Sequence, residues 1–257
     1  MREVTSPLHD LRGVTEQNPK SLIAAAYHNL RADIICGRLE PGSRLRVEHL
    51  KDDYNVGAGT LREALALLVA DALVITQDQR GYRVAPMSLE DFRDITETRV
   101  HLETHATKLS IANGTDSWEG ELASAFHQLN RAEERLGPER SGAVFDQWEI
   151  CNRHFHQALL ARCPSFWVLH LLQILYRQSE RYRRLSLTHR DSGRDLHGEH
   201  KAIFDAAMAR DGTQAAVAVA QHIHATYETI ELLVKTGQVN LAVQSLLQTK
   251  YHSENRL

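Results

Sequence analysis

The chain has 257 residues, of which 42% are hydrophobic and 25% charged, and its formal net charge is −3. That length and apolar content support one large or two modest packed domains and argue against a disordered chain. The first 88 residues hold eleven Lys/Arg and eleven Asp/Glu, so any nucleic-acid contact has to come from placement of charge rather than bulk charge.

Residues 1–19 are polar and aperiodic, which predicts a flexible arm; MREVTSPLHDLRG lacks the apolar core of a signal peptide. From Ser21, the residues Leu22, Ile23, Ala26, Leu30, Ile34 and Ile35 recur at three- and four-residue steps, a helix that Gly37 ends. After the turn LEPGSRL come a short helix over about 47–54 and a second over about 58–71. The latter carries Leu61, Ala64, Leu65 and Leu68 on one face. Leu73–Thr76 and Tyr82–Ala85 have β character around a polar, Gly-containing turn and predict a hairpin.

Beyond Pro86 the pattern becomes almost wholly helical. Ser88 with Asp91 three residues on suits an N-cap, and helices are expected near 88–112, 116–136, 141–162, 165–187, 191–210 and 213–236. The fold class is mainly α. A winged helix-turn-helix (20–86) precedes an all-α bundle (87–236), with 237–257 as a tail. No run reaches 18 uninterrupted apolar residues, and Cys36, Cys151 and Cys163 are too scattered for a disulfide framework. Both features predict a cytoplasmic protein with no membrane contact.

The stretch YNVGAGTLREALALL raises a choice of reading. A dinucleotide loop needs a strand before its glycines and a third glycine after them, whereas here EHLKDDY is charged and helical, and Arg62 sits at the third position. A P-loop needs Gly-Lys-Ser/Thr, which is absent. The context fits helix, turn, helix and wing, with Asn55 as the left-handed turn residue. Gly57 and Gly59 then let a DNA backbone approach, Thr60 lies in the first turn, and Arg62 reaches a guanine edge or a phosphate. Arg44 and Arg46 before the short helix, with Arg80, Gly81 and Arg83 in the wing, complete a basic rim for phosphate contact. The bland reading is an amphipathic helix pair with solvated arginines.

In the body, Asn152 and His156 share a helix face, His200 opens a helix and His222 lies in AQHIH. Neutral imidazoles converging in a bundle interior ligate Zn²⁺ or Ni²⁺. Equally, three histidines on inward faces are core residues satisfied by hydrogen bonds, and spacing does not decide between the two. Tyr176, Arg177, Arg181 and Tyr182 on the long fourth body helix either line a cavity or form a polar face.

PGSRL, NVGAGTLREALALLVADALV and RGYRV together resemble the GntR-family head over about residues 20–85, with Arg62, Glu63, Ala64 and Leu65 at the strongest positions. Gly57-Ala58 stands where that family usually has Ser-Arg. The wording LREAL and GYRVA-x-MS is most similar to the carbon-starvation-induced, glutarate-responsive regulators. Arg99-x-x-x-Glu103, Phe155-His156, Glu199-His200 and Ala215 to His222 resemble the FadR-type (FCD) ligand domain over about 89–235. The resemblance implies a divalent metal, Zn or Ni, on His156, His200 and His222, with Asn152 where many members have Asp. It also implies an effector contact at Arg99. The function so implied is transcription regulation by a homodimer that binds double-stranded operator DNA and responds to a small carboxylate. The rivals are a metal-dependent enzyme acting on a carboxylate and a ligand-free architectural DNA binder.

Overall fold

The computed structural model describes residues 21–77, 81–136, 142–188, 194–239 and 241. The arm expected over 1–19, Arg80, and the tail apart from 237–239 and 241 lie outside the described residues. The chain divides into two units between Val84 and Ala85.

The first unit runs α1 (Leu22–Ile35), β1 (Arg44–Leu45), α2 (Val47–Asp53), α3 (Ala58–Ala70), β2 (Val74–Gln77) and β3 (Gly81–Val84). Ser21 Oγ caps α1 by accepting from the Ala24 N–H at 3.2 Å. The predicted stripe on α3, Leu61, Ala64, Leu65 and Leu68, is fully buried against Ala26, Leu30 and Ile34 of α1. Asn55 adopts φ 50, the left-handed conformation required between α2 and α3. The strands form an antiparallel sheet in the order β1-β3-β2, with Val74 opposite Val84 and Leu45 opposite Tyr82. Strand β1 was not expected from the sequence. Two residues are too few to show alternation, and it exists because β3 offers a free edge.

The second unit holds α4 (Leu89–Ala112), α5 (Asp116–Arg135), α6 (Gly142–Leu160), α7 (Phe166–Thr188), α8 (Leu196–Met208) and α9 (Gly212–Lys235). Side chains fix their starts: Ser88 accepts from Asp91 N–H, Thr115 from Trp118 N–H, Asp195 from Gly198 N–H, and Asp211 from Thr213 and Gln214 N–H. The Asp195 cap is why α8 begins at Leu196 and not near 191. Helix α4 packs on α6, α7 and α9, while α5 packs on α6 and α8, and α8 on α9. A core around Trp118, Phe126, Trp148, Phe155 and Ile203 fills one part of the bundle. Phe92, Tyr182 and Ile230 fill another.

Candidate functional site

In the first unit, the N-cap of α3 is Gly57, which has no side chain to accept from the opening N–H groups of the helix. A Cβ built on Gly57 or Gly59 would meet nothing within 4 Å, and both residues are exposed, as is Arg62 one turn in. Thr60 is half-buried, while Arg44 and Arg46 are exposed. Gly81 opens β3 at φ +82, a conformation that favours glycine. Arg44 stands directly opposite Arg83 across β1 and β3, an arrangement that repels unless an anion or other acceptor intervenes. Arg83 is partly committed already: its Nε donates to Gln77 Oε1 at 2.9 Å and its guanidinium to the Gly42 carbonyl at 2.8 Å. Its first role is therefore to brace the wing.

In the second unit, His156 (α6), His200 (α8) and His222 (α9) converge. Ring centroids lie 5.8 Å apart for His156–His200, 5.1 Å for His156–His222 and 4.6 Å for His200–His222. One ligand nitrogen from each lies within 4.8 Å of the others, and all three residues are buried.

Each ring is held by a carboxylate that the sequence reading did not assign to it. His156 Nδ1 donates to Glu103 Oε1 at 3.1 Å, His200 Nδ1 to Glu133 Oε1 at 2.6 Å, and His222 Nδ1 to Glu199 Oε2 at 2.8 Å. An ionised carboxylate only accepts, so each Nδ1 carries the proton and each Nε2 keeps its lone pair. Ligating histidines are oriented in this way in metal sites. His200 Nε2 is buried without a partner. So is Asn152 Oδ1, because its amide nitrogen donates to the Tyr176 hydroxyl at 2.7 Å. Two orphaned buried acceptors beside three prepared rings make a donor set that can hold a metal ion.

The carboxylates are themselves anchored. Glu103 takes the Arg99 guanidinium at 2.8 Å. Burial, the largest single influence, would raise its carboxyl, but Arg99 and His156 together outweigh it and hold the carboxyl at about 2. Arg194 grips both oxygens of Glu199, at 2.8 and 2.6 Å. Burial pushes the His156 imidazole down to about 4 and His222 well below 6.5, so both are neutral near pH 7.

A pH dependence follows. In metal-free protein these rings refuse protons that the unfolded chain accepts, so the folded state is penalised as pH falls from 6.5 toward 4. The expected loss is on the order of 3 kcal/mol for His156. Thermal melts of chelator-treated protein across that window check it, and a flat profile would contradict it.

The expected effector residues separate. Arg99 lies beside the histidines with its Nε buried and unpartnered, and Tyr176 is hydrogen-bonded to Asn152. Arg181 and Tyr182 do not join them. Five residues past Tyr176, Arg181 is turned about 140° around α7, and its guanidinium donates to the Ala85 carbonyl at 2.6 Å. Tyr182 donates to Asp91 at 2.9 Å, accepts from the Ser88 N–H at 3.1 Å, and stacks on Phe92. Both side chains hold the start of the second unit. Arg177, about 100° from Tyr176, is half-buried. Arg183, seven residues from Tyr176 and on its face, is the companion that sequence reading missed, with its guanidinium 4.5 Å from the ring centroid. It donates in bidentate fashion to Glu149, and both are buried. The signal was available: Glu149 falls in the α6 stripe of Phe145, Trp148, Asn152 and His156, where an acid requires a buried cation.

Comparison with known proteins bears on both units. Residues 22–84 match the gntR family of bacterial regulatory proteins, and residues 94–225 match the FCD domain. The chain is 46% identical over 221 residues to BphR of Paraburkholderia xenovorans, an HTH-type transcriptional regulator, covering 86% of this chain and 90% of that one. It is 35% identical over 201 residues to the HTH-type transcriptional repressor GlaR of Escherichia coli, covering 77% and 90%. The solved structure of E. coli McbR/YncC shares the fold with a TM-score of 0.66 at 20% identity, over 84% of this chain and 98% of that one. Among the described residues no helix is long and apolar enough to cross a membrane. With a gntR-type head, an FCD body and relatives that are regulators rather than enzymes, the chain belongs to the GntR family of DNA-binding transcriptional regulators, in its FCD-containing branch.

Proposed function

We propose that the chain is a homodimeric regulator whose second unit binds a divalent cation, Zn²⁺ or Ni²⁺, together with a small carboxylate that modulates operator affinity. The observation that supports this most strongly is the set of three carboxylate–histidine pairs, Glu103–His156, Glu133–His200 and Glu199–His222. Core histidines need one satisfied nitrogen each; three buried rings that bring a ligand nitrogen each within 4.8 Å of the others gain nothing from packing alone. Nε2 of each ring and Asn152 Oδ1 would hold the ion, which supplies a Lewis-acidic anchor for a carboxylate. Arg99, with its spare buried N–H, would take a carboxylate oxygen, and the Tyr176 hydroxyl sits beside it.

Helix α7 would link this site to the segment that opens the second unit. It carries Tyr176 and Arg183 next to the site and Arg181 and Tyr182 on Ala85, Ser88 and Asp91. A ligand favouring one setting of α7 would shift the population of conformations at the residue that follows Val84 in the chain.

At the DNA, Arg62, Arg44, Arg46 and the glycines at 57 and 59 would meet the operator, with the α3 N-terminus on a phosphate. Arg62→Ala is expected to weaken operator binding by about 1–3 kcal/mol with the fold intact. Log affinity should also fall steeply with log salt as arginines displace counterions. A fluorescence-anisotropy titration on DNA selected with the wild-type protein checks both. Unchanged affinity in the variant removes Arg62 from the interface, and a flat salt slope removes the phosphate rim.

A further inference from the structure

Two buried hydroxyls on facing helices have no hydrogen-bond partner among the described residues: Thr96 Oγ1 on α4 and Ser179 Oγ on α7, residues that are 2% and 1% exposed. Other helical threonines satisfy themselves. Thr104, Thr229 and Thr236 donate to the carbonyl four residues back, at 2.7, 2.8 and 2.8 Å. Thr96 does not, although it borders the apolar cluster of Phe92, Ile95 and Tyr182, where an unpaired hydroxyl is less favourable than a methyl.

Two contacts fix where these hydroxyls lie. At one level Tyr182 stacks on Phe92, with ring centroids 4.1 Å apart. At another, the Arg99 guanidinium is 5.2 Å from the Tyr176 ring centroid. The two helices therefore run antiparallel, and Thr96 and Ser179 both fall between the contacts. Each is three residues from the Arg99–Tyr176 contact, about 4.5 Å along its helix axis and within about 60° of the contacting face. The unpaired groups then form a row: His200 Nε2 and Asn152 Oδ1 at the histidines, Arg99 Nε next, and the two hydroxyls beyond. The far end of the row carries no net charge. Arg183, one turn past Ser179, is held by Glu149 through two nitrogens. Arg181 is turned about 160° from Ser179 around α7 and donates to the Ala85 carbonyl.

We infer that Thr96 and Ser179 form a neutral, hydroxyl-recognising subsite, so that the ligand is an aliphatic carboxylate with a hydroxyl on its third or fourth carbon. The inference rests on the carboxylate reading above and names the class of that ligand. With the carboxylate on Arg99, a short extended carbon chain bridges the interval to the hydroxyls, which a substituent on the carbon next to the carboxylate would not reach. Each side-chain hydroxyl can both donate to and accept from a ligand hydroxyl. A second carboxylate would be buried there without a counter-charge.

The test is calorimetric titration of the Zn²⁺-loaded full-length protein with butyrate, 3-hydroxybutyrate, 4-hydroxybutyrate and glutarate. One of the two hydroxy acids is expected to bind about tenfold more tightly than butyrate, the gain of a well-made hydrogen bond, and more tightly than glutarate. Thr96→Val and Ser179→Ala should each remove most of that preference while leaving butyrate affinity unchanged, and Thr96→Ser should keep it. Butyrate binding with no preference for either hydroxy acid overturns the subsite and leaves the carboxylate reading standing. A preference that survives both Thr96→Val and Ser179→Ala, one lost in Thr96→Ser, or glutarate as the tightest ligand also overturns it. No binding of any of the four acids overturns both readings.

Discussion

His200→Ala is expected to abolish stoichiometric metal and with it the gain in melting temperature that Zn²⁺ or Ni²⁺ gives the wild type. His200 is fully buried between Phe155 and the two other rings, and its Nε2 has no protein partner to lose. Truncation removes one of three imidazole ligands and leaves Glu133 facing only His197. A ligand that binds only the folded state at a thousand times its dissociation constant stabilises by about 4 kcal/mol. Most of that gain should vanish in the variant, whereas the metal-free proteins should differ by much less. Elemental analysis and paired melts with and without metal report this directly. A variant that keeps one equivalent of metal and the full thermal shift would show that the ligands lie elsewhere.

Glu149→Ala should cause the largest loss of fold stability of any single polar substitution proposed here, about 3–5 kcal/mol. Glu149 and Arg183 are both buried, and Glu149 accepts from two guanidinium nitrogens of Arg183. Once the acid is gone, the guanidinium stays charged: burial acts to lower its pKa, but cannot bring a guanidinium near neutrality. Arg183 also lies against the Tyr176 ring, so its release would disturb the Asn152–Tyr176 hydrogen bond as well. For a domain of this size the melting temperature should drop by roughly 10 °C. The double variant Glu149→Leu/Arg183→Met should recover much of the loss, because the buried guanidinium is removed together with its bidentate acid. If Glu149→Ala melts within a degree or two of the wild type, water reaches Arg183 and the pair is not part of a closed interior.

Much of this architecture was legible because its signals are local. The Ser88 cap placed the start of α4, and the spans expected over 116–136 and 213–236 fall within a residue of α5 and α9. Asn55 marked the turn before α3 for a stereochemical reason that needs no tertiary information. The three histidines stood out as inward-facing residues on three helices, with Asn152 on the face of His156, although only the family resemblance favoured a shared site; the structure does bring the rings together.

What escaped was long-range. Glu133 reaches His200 across 67 residues, and Arg183 reaches Glu149 across 34. Glu103 was read only as a helical neighbour of Arg99, although it bonds His156 on another helix. Arg181 was assigned to the site because it shares a helix with Tyr176, but the angular step around α7 sends it to Ala85. Counting that angle, and asking which cation pays for each acid inside an apolar stripe, would have corrected both assignments from the sequence.

The central claim is that a divalent ion sits among three carboxylate-oriented imidazoles in the second unit. Metal-edge anomalous diffraction on crystals of full-length protein grown without chelator tests it most directly. One strong anomalous peak per chain is expected, about 2.0–2.2 Å from Nε2 of His156, His200 and His222, with Asn152 Oδ1 or a carboxylate oxygen completing the set. A peak located elsewhere, or none in crystals soaked with Zn²⁺ or Ni²⁺, would contradict it.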